Sequence, residues 1–318
     1  MFFSSIHRPL NRIRSIFMFF LLSTILFAQS TGLRIHDQNN NIIISYGDDI
    51  VARYAFMDHQ FKPYVKDFYS PRGSNILLDA PADHLHHHGL MMAFKVNGIN
   101  FWEEVENPGT EKHIMMQHDK SGLGNELYAH IIDSLHWIHP QDQSILLKER
   151  RSIRIKKDIT KKYNSLTWTS TFYPAAEQVL ISGSHYHGLG LRFPESINII
   201  GSFVNADNKP GAIFRGRERL TESRWCAYTV EPEGRPLTIA AFDSPDNPRP
   251  ATWFTMKEPF AYLSATLNLH LDPIELGKSD TFKLTYAIIV WYQIKTTDQI
   301  EEAYATWIQQ ISDEKRLE

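Results

Sequence analysis

Four imidazoles stand in five consecutive positions at Asp83-His84-Leu85-His86-His87-His88-Gly89, a density that asks for a chemical reason. Three readings are open: ligation of a metal ion, proton transfer, or a polar turn. An imidazole gains and loses its proton near neutral pH, so such a cluster can take and return protons in place. If the segment is extended, its period of two puts His84, His86 and His88 on one face. His-x-His spacing can ligate a divalent metal there, with Glu103 or Glu104 and His113 completing the set. Pro81, Ala82, Asp83 and Gly89 argue instead for a loop that need not alternate. The expectation is acid–base chemistry with no tightly held metal and no other cofactor; a divalent metal is the alternative.

The flanking residues suit a hydroxylated ligand. Tyr69-Ser70-Pro71-Arg72-Gly73 precedes the cluster, and Asn97-Gly98-Ile99-Asn100-Phe101-Trp102-Glu103-Glu104 follows it within one hairpin. Aromatic faces stack on the C–H faces of sugars, while Arg, Asn and carboxylates bind hydroxyls. This makes His84, His86 and His87 candidate proton-transfer groups, Glu103 the complementary carboxylate and Arg72 an orienting cation. Tyr69 and Trp102 are candidate contacts. Trp102 also reads as a core residue, and Arg72 as a turn residue.

These residues need a scaffold, and the dominant signal is strand. Runs at 41–47, 127–132, 144–148, 165–173 and 281–291 are rich in β-branched and aromatic residues and bounded by Gly, Pro and Asn. Asn39-Asn40 and Asn97-Gly98 read as hairpin turns, the second returning Phe101-Trp102-Glu103 beside Met91-Met92-Ala93. After Thr296, the apolar residues Ile300, Tyr304, Trp307, Ile308 and Ile311 recur at helical spacing, predicting a helix over 297–313. One large all-β domain over 31–318 with this C-terminal helix is the simplest reading; the roughly 15–20 strands expected favour a two-sheet sandwich, with a double-stranded β-helix as the alternative.

The N-terminus sets the compartment. Arg8, Arg12 and Arg14 precede a 13-residue apolar run, Ile16–Ala28, and then Gln29-Ser30. A basic stretch, a short apolar core and a small-residue cleavage site predict a signal peptide over 1–30, hence a periplasmic or secreted protein without a stable membrane anchor. Without that segment, 30 basic residues face 36 acidic ones, which argues against nucleic acid as partner. The single Cys226 can form no internal disulfide, so the core alone must hold the fold.

The segments Tyr69-Ser70-Pro71-Arg72-Gly73, "DHLHHHGLMMAFKVNGINFWEE" (83–104), "GLGLRFP" (188–194), "ESRWCAYTV" (222–230), "FDSPDNPRPATWF" (242–254) and "YAIIVW" (286–291) resemble the bacterial PmoA family. Leu85 and His88 depart from it, standing where that family has Pro and Arg. The resemblance implies, at fold level, a galactose-mutarotase-like β-supersandwich, an architecture that carries aldose epimerases, polysaccharide lyases and glycosidases. On that fold the 183–192 segment, with His185, His187 and Arg192, brings a second imidazole pair and a cation to the ligand or makes a strand-end turn. Arg224 and the Asp243–Asn247 loop line the cleft or close the sandwich. The expected function is an exported enzyme acting on a sugar or oligosaccharide as hydrolase, lyase or epimerase; the alternatives are a glycan-binding module and a cupin-like metal enzyme.

Overall fold

Long strands with strict in–out alternation make the frame. In Glu126–Ile138 every second residue is buried, so Leu127, Ala129, Ile131, Asp133, Leu135 and Trp137 face inward. A pattern of period two needs a sheet with one covered face, and this strand lies between Thr110–Leu123 and Ile145–Asp158 in an eight-stranded antiparallel sheet. The computed structural model describes residues 1–2, 32–57, 61–198 and 200–316. The predicted signal peptide lies, but for its first two residues, outside the described residues.

Among the described residues there are twenty-two strands, several only two residues long, and their pairings are antiparallel. They form sheets of ten, eight and four strands. The ten- and eight-stranded sheets pack face to face over one large apolar core, so the fold is an all-β sandwich. Phe282–Trp291 ends in a run buried on both faces, because the helix Thr297–Lys315 covers its outer side. Ile300, Trp307 and Ile311 pack there against Ala287, Ile289 and Trp291. Thr296 caps this helix in a reciprocal box with Gln299.

Both predicted hairpins form, with positive φ at Asn39, Asn40, Asn97 and Gly98. The second is shorter than expected. Only Lys95↔Asn100 and Val96↔Ile99 pair, and Leu90–Ala93 lies instead beside Gly188–Arg192 and Tyr64–Phe68. Phe101, Trp102 and Glu103 therefore follow the hairpin as a bend, not as a strand beside Met91-Met92-Ala93.

Candidate active site

The histidine segment is a doubly turned loop leading into Leu90–Ala93. His84 N–H donates to the Pro81 carbonyl at 2.9 Å and His87 N–H to the His84 carbonyl at 3.0 Å. Gly89, at φ +46°, returns the chain to the sheet; a Cβ there would stand 2.4 Å from the Val65 carbonyl oxygen. The turns break the period-two alternation, so His84, His86 and His87 line one pocket while His88 is buried elsewhere. His88 Nδ1 lies 2.9 Å from Asp79 Oδ1 and Nε2 3.1 Å from Glu104 Oε1. Burial pushes its pKa down, but the two carboxylates outweigh that and raise it. With both ring nitrogens engaged, His88 offers no lone pair to a metal, and the set His84, His86, His88 loses a ligand. His113 is no substitute: its Nδ1 lies 2.6 Å from Asp133, on the eight-stranded sheet.

Glu103 enters the same pocket from the bend after the Asn97-Gly98 hairpin. Asn100 Oδ1 accepts from the backbone of Trp102 and Glu103, which folds the chain back, and its side-chain amide donates to Glu103 Oε2. Tyr186 donates its phenol to Oε1 at 2.6 Å, and His187 Nε2 stands 3.4 Å from Oε2. Burial pushes the Glu103 carboxyl up, yet His187, Tyr186 and Asn100 together hold it well below the usual carboxylate range. Burial and the bond to Glu103 push the Tyr186 phenol up to about 12. Glu103 is therefore an anion and Tyr186 a standing donor.

The floor is built on Gly188–Arg192, Tyr262–Thr266 and Thr252–Met256, neighbours in the ten-stranded sheet. Gly190, Ser264 and Phe254 stand in register, as do Arg192, Tyr262 and Met256. A Cβ on Gly190 would meet the Tyr262 hydroxyl at 1.9 Å and the Trp102 ring at 2.7 Å, so glycine here makes room for both rings. His84 stacks on His87 at 4.6 Å, and His87 on Tyr262 at 5.1 Å. Arg192 pairs with Asp83 at 2.9 Å and lies 3.3 Å over Phe260, tying the histidine loop to the sheet. The pocket encloses about 580 Å³.

Burial, reinforced by the neighbouring imidazoles His86 and His84, lowers the His87 pKa to about 2, so this ring is neutral across the physiological range and is no proton carrier. His86 is only partly buried; burial and Lys62 lower its pKa while Glu103 pulls it up. Around the pocket, His87 Nδ1, His187 Nδ1, Trp102 Nε1, Arg192 Nε and Nη1, and Tyr262 Oη are buried without a hydrogen-bond partner. Such atoms are uncommon in a finished interior, and those of His87 and Tyr262, which line the pocket, mark a place where a ligand or water completes the bonding.

The other candidates fall elsewhere. Trp102 is fully buried and stacks on His187 at 5.2 Å, so it supports the floor and offers no face to a ligand. His187 is equally buried behind Glu103. Arg72 is exposed, 4.3 Å over the Tyr292 ring, and the Tyr69 carbonyl accepts from Asn164; neither lines the pocket. Arg224, Asp243 and Asn247 line a second cavity of about 410 Å³ beside the C-terminal helix. Sequence reading missed Tyr186, a single tyrosine between His185 and His187, and Phe254, Phe260 and Tyr262, which carry no sequence signal beyond that of apolar residues. Among the described residues no group of three or more His, Cys, Asp or Glu side chains is placed to hold a metal ion, and no helix is long and apolar enough to cross a membrane.

A model of a family of unknown function, DUF6807, matches residues 41–305, and the chain belongs to that family; the PmoA label is not the one this match carries. No curated protein matches the sequence. In fold the chain is similar to the GH36 α-galactosidase AgaB of Geobacillus stearothermophilus, at 11% identity and TM-score 0.52, covering 82% of this chain and 41% of that one. AgaA of the same organism gives 10% identity and TM-score 0.45 with the same coverages. A galactose mutarotase related enzyme from Lactobacillus acidophilus gives 8% identity and TM-score 0.38, covering 83% of this chain and all of that one. The chain thus spans about two fifths of the length of the galactosidases it resembles.

Proposed function

We propose that this DUF6807 member acts on a sugar by proton transfer, with His86 as general base and Glu103 as the fixed anion beside it. The observation that carries the reading is the pairing of these two groups in one aromatic-floored pocket. A carboxylate held ionised by Tyr186 and Asn100 has little proton affinity left, so Glu103 is a poor base. It is instead a strong acceptor for a sugar hydroxyl, and its charge favours the imidazolium that forms when His86 takes a proton. His86 is neutral and accessible near pH 7, as a base must be. Phe254, Met256, Phe260 and Tyr262 give the pocket an apolar lining suited to the C–H groups of a pyranose, and a pocket of this volume falls in the range of small-ligand sites.

Abstraction of a proton from a hydroxyl or a carbon beside a carbonyl leads to epimerisation, anomer exchange or elimination. Hydrolysis by a carboxylic acid and carboxylate pair requires an acid whose pKa is raised, and Glu103 is shifted the opposite way. Export follows from the basic and apolar N-terminal pattern of residues 1–30, and the substrate is accordingly a sugar met outside the cytoplasm. The test is NMR of mono- and oligosaccharides incubated with the protein in D₂O. Anomer equilibration, deuterium uptake at carbon or a new unsaturated sugar, each lost in His86→Ala, is the expected result. Release of reducing sugar that survives His86→Ala would overturn the proton-transfer reading, and binding without turnover would make the chain a glycan-binding module.

A further inference from the structure

Beyond the pocket, its aromatic lining continues outward along one direction. Tyr186 and Phe254, which line the pocket, both contact the His185 ring, at 4.8 Å and 5.3 Å between centroids. His185 in turn stacks on Phe214 at 3.6 Å with an interplanar angle of 28°. Phe214 is 42% exposed and belongs to the turn joining Ala212–Ile213 to Arg219–Glu222, at the free edge of the ten-stranded sheet. The next residue of that turn, Arg215, lines the pocket itself. Packing does not require an aromatic ring here, because a phenyl left half in water at a sheet edge gains little from burial. His185 adds a second sign: its Nε2 is buried and has no hydrogen-bond partner.

We infer that the Phe214–His185 shelf is a second sugar subsite, so that the protein's ligand is a neutral saccharide of at least two rings, one in the histidine pocket and the next stacked on Phe214. The inference rests on the carbohydrate reading above. Neutrality follows from the charges at this end: Arg215 pairs with Glu218 at 2.8 Å and Arg217 with Glu258, so each rim cation already has its carboxylate. A sugar hydroxyl reaching His185 Nε2 would satisfy that atom, and burial holds this imidazole at a pKa of about 4, neutral and able to bond without charge.

Calorimetric titration of the full chain with glucose, galactose, maltose and melibiose, repeated on Phe214→Ala, tests this. The expected result is at least one disaccharide bound more tightly than its constituent monosaccharides, with roughly five- to tenfold of that advantage lost in Phe214→Ala and monosaccharide affinity unchanged. His185→Ala, which removes both the stack and the free nitrogen, is expected to lose the same preference. Monosaccharides bound as tightly as disaccharides, or a disaccharide preference intact in both variants, would overturn the subsite while leaving the pocket reading in place. No heat with any of the four sugars would overturn the carbohydrate reading and the subsite with it.

Discussion

Two regions of this molecule gather the residue types that make active sites, and they treat them in opposite ways. The histidine pocket on the ten-stranded sheet leaves polar atoms of His87, His187, Arg192 and Tyr262 buried and unpaired. In the cavity beside the C-terminal helix, by contrast, the Asp243 side chain accepts from Asn247 at 2.7 Å and from Ala251 N–H at 2.8 Å. Asn247 in turn exchanges two hydrogen bonds with the Thr285 backbone, and Arg224 holds Glu301 through two oxygens. Burial raises Asp243 to about 6, a shift that in isolation resembles a catalytic acid. Its complete hydrogen bonding marks it as a clamp for the loop between Leu237–Asp243 and Thr252–Met256. A perturbed pKa with satisfied partners reports architecture: of the polar side-chain atoms lining this second cavity, only the Ser223 hydroxyl is buried without a partner.

The largest expected effect breaks the first region and spares the fold. His86→Ala should reduce turnover by about 10²–10⁴ while leaving the melting temperature within a few degrees, since a partly exposed loop side chain adds little to the core. The pH profile supplies the sign. His86 must be neutral to act, so kcat/KM should rise with pH through its folded pKa, which lies below 6.5, and then level off. A rate that instead declines as pH rises through that range would make the protonated imidazole the active form.

Glu103→Gln is expected to cost less, on the order of tenfold to a hundredfold, because it removes a charge beside the base and leaves the base in place. Its more telling consequence is a displacement. Glu103 pulls the His86 pKa up, so without that charge the acid limb of the profile should move to lower pH. An unmoved limb would separate the two residues and leave His86 without its partner.

The second region should respond in stability. Asp243→Ala strands the Ala251 N–H and frees Asn247, a loss of about 1–3 kcal/mol, read as a lower denaturation midpoint. Sugar binding by the folded fraction should stay at the wild-type level. If affinity falls and the midpoint does not, the assignments of the two cavities are reversed.

This contrast also measures how far the sequence alone reaches. Alternation in Glu126–Ile138 and the 3–4 spacing after Thr296 were legible because period and burial are coupled locally. His84, His86, His87 and Glu103 were legible as polar groups that one pocket gathers, although His87 is buried and neutral and His88 pairs with Asp79 and Glu104 away from that pocket. What could not be read was convergence over distance. Tyr186 meets Glu103 across 83 residues, and Tyr262 and Phe254 reach the floor only because Gly188–Arg192, Tyr262–Thr266 and Thr252–Met256 are neighbours in the sheet. Strand order is a global property, and a single chain carries no local mark of it. The turns at His84 and His87 likewise override the alternation that a straight segment would show.

Arg72 is the residue on which that limit bears most directly, and it yields the smallest predicted effect. Its place ahead of the histidine cluster, in Tyr69-Ser70-Pro71-Arg72-Gly73, suggested an orienting cation, but nearness in sequence did not become nearness in space. Its guanidinium rests over Tyr292, just beyond Phe282–Trp291 of the eight-stranded sheet. An exposed cation over an aromatic ring contributes about 0.5–1 kcal/mol. Arg72→Ala should therefore leave kcat/KM and sugar affinity within a factor of about two and lower the denaturation midpoint only slightly. A loss of activity approaching that of Glu103→Gln, at unchanged stability, would bring Arg72 to the bound ligand. The contrast between the two regions would then have to be redrawn to include a third.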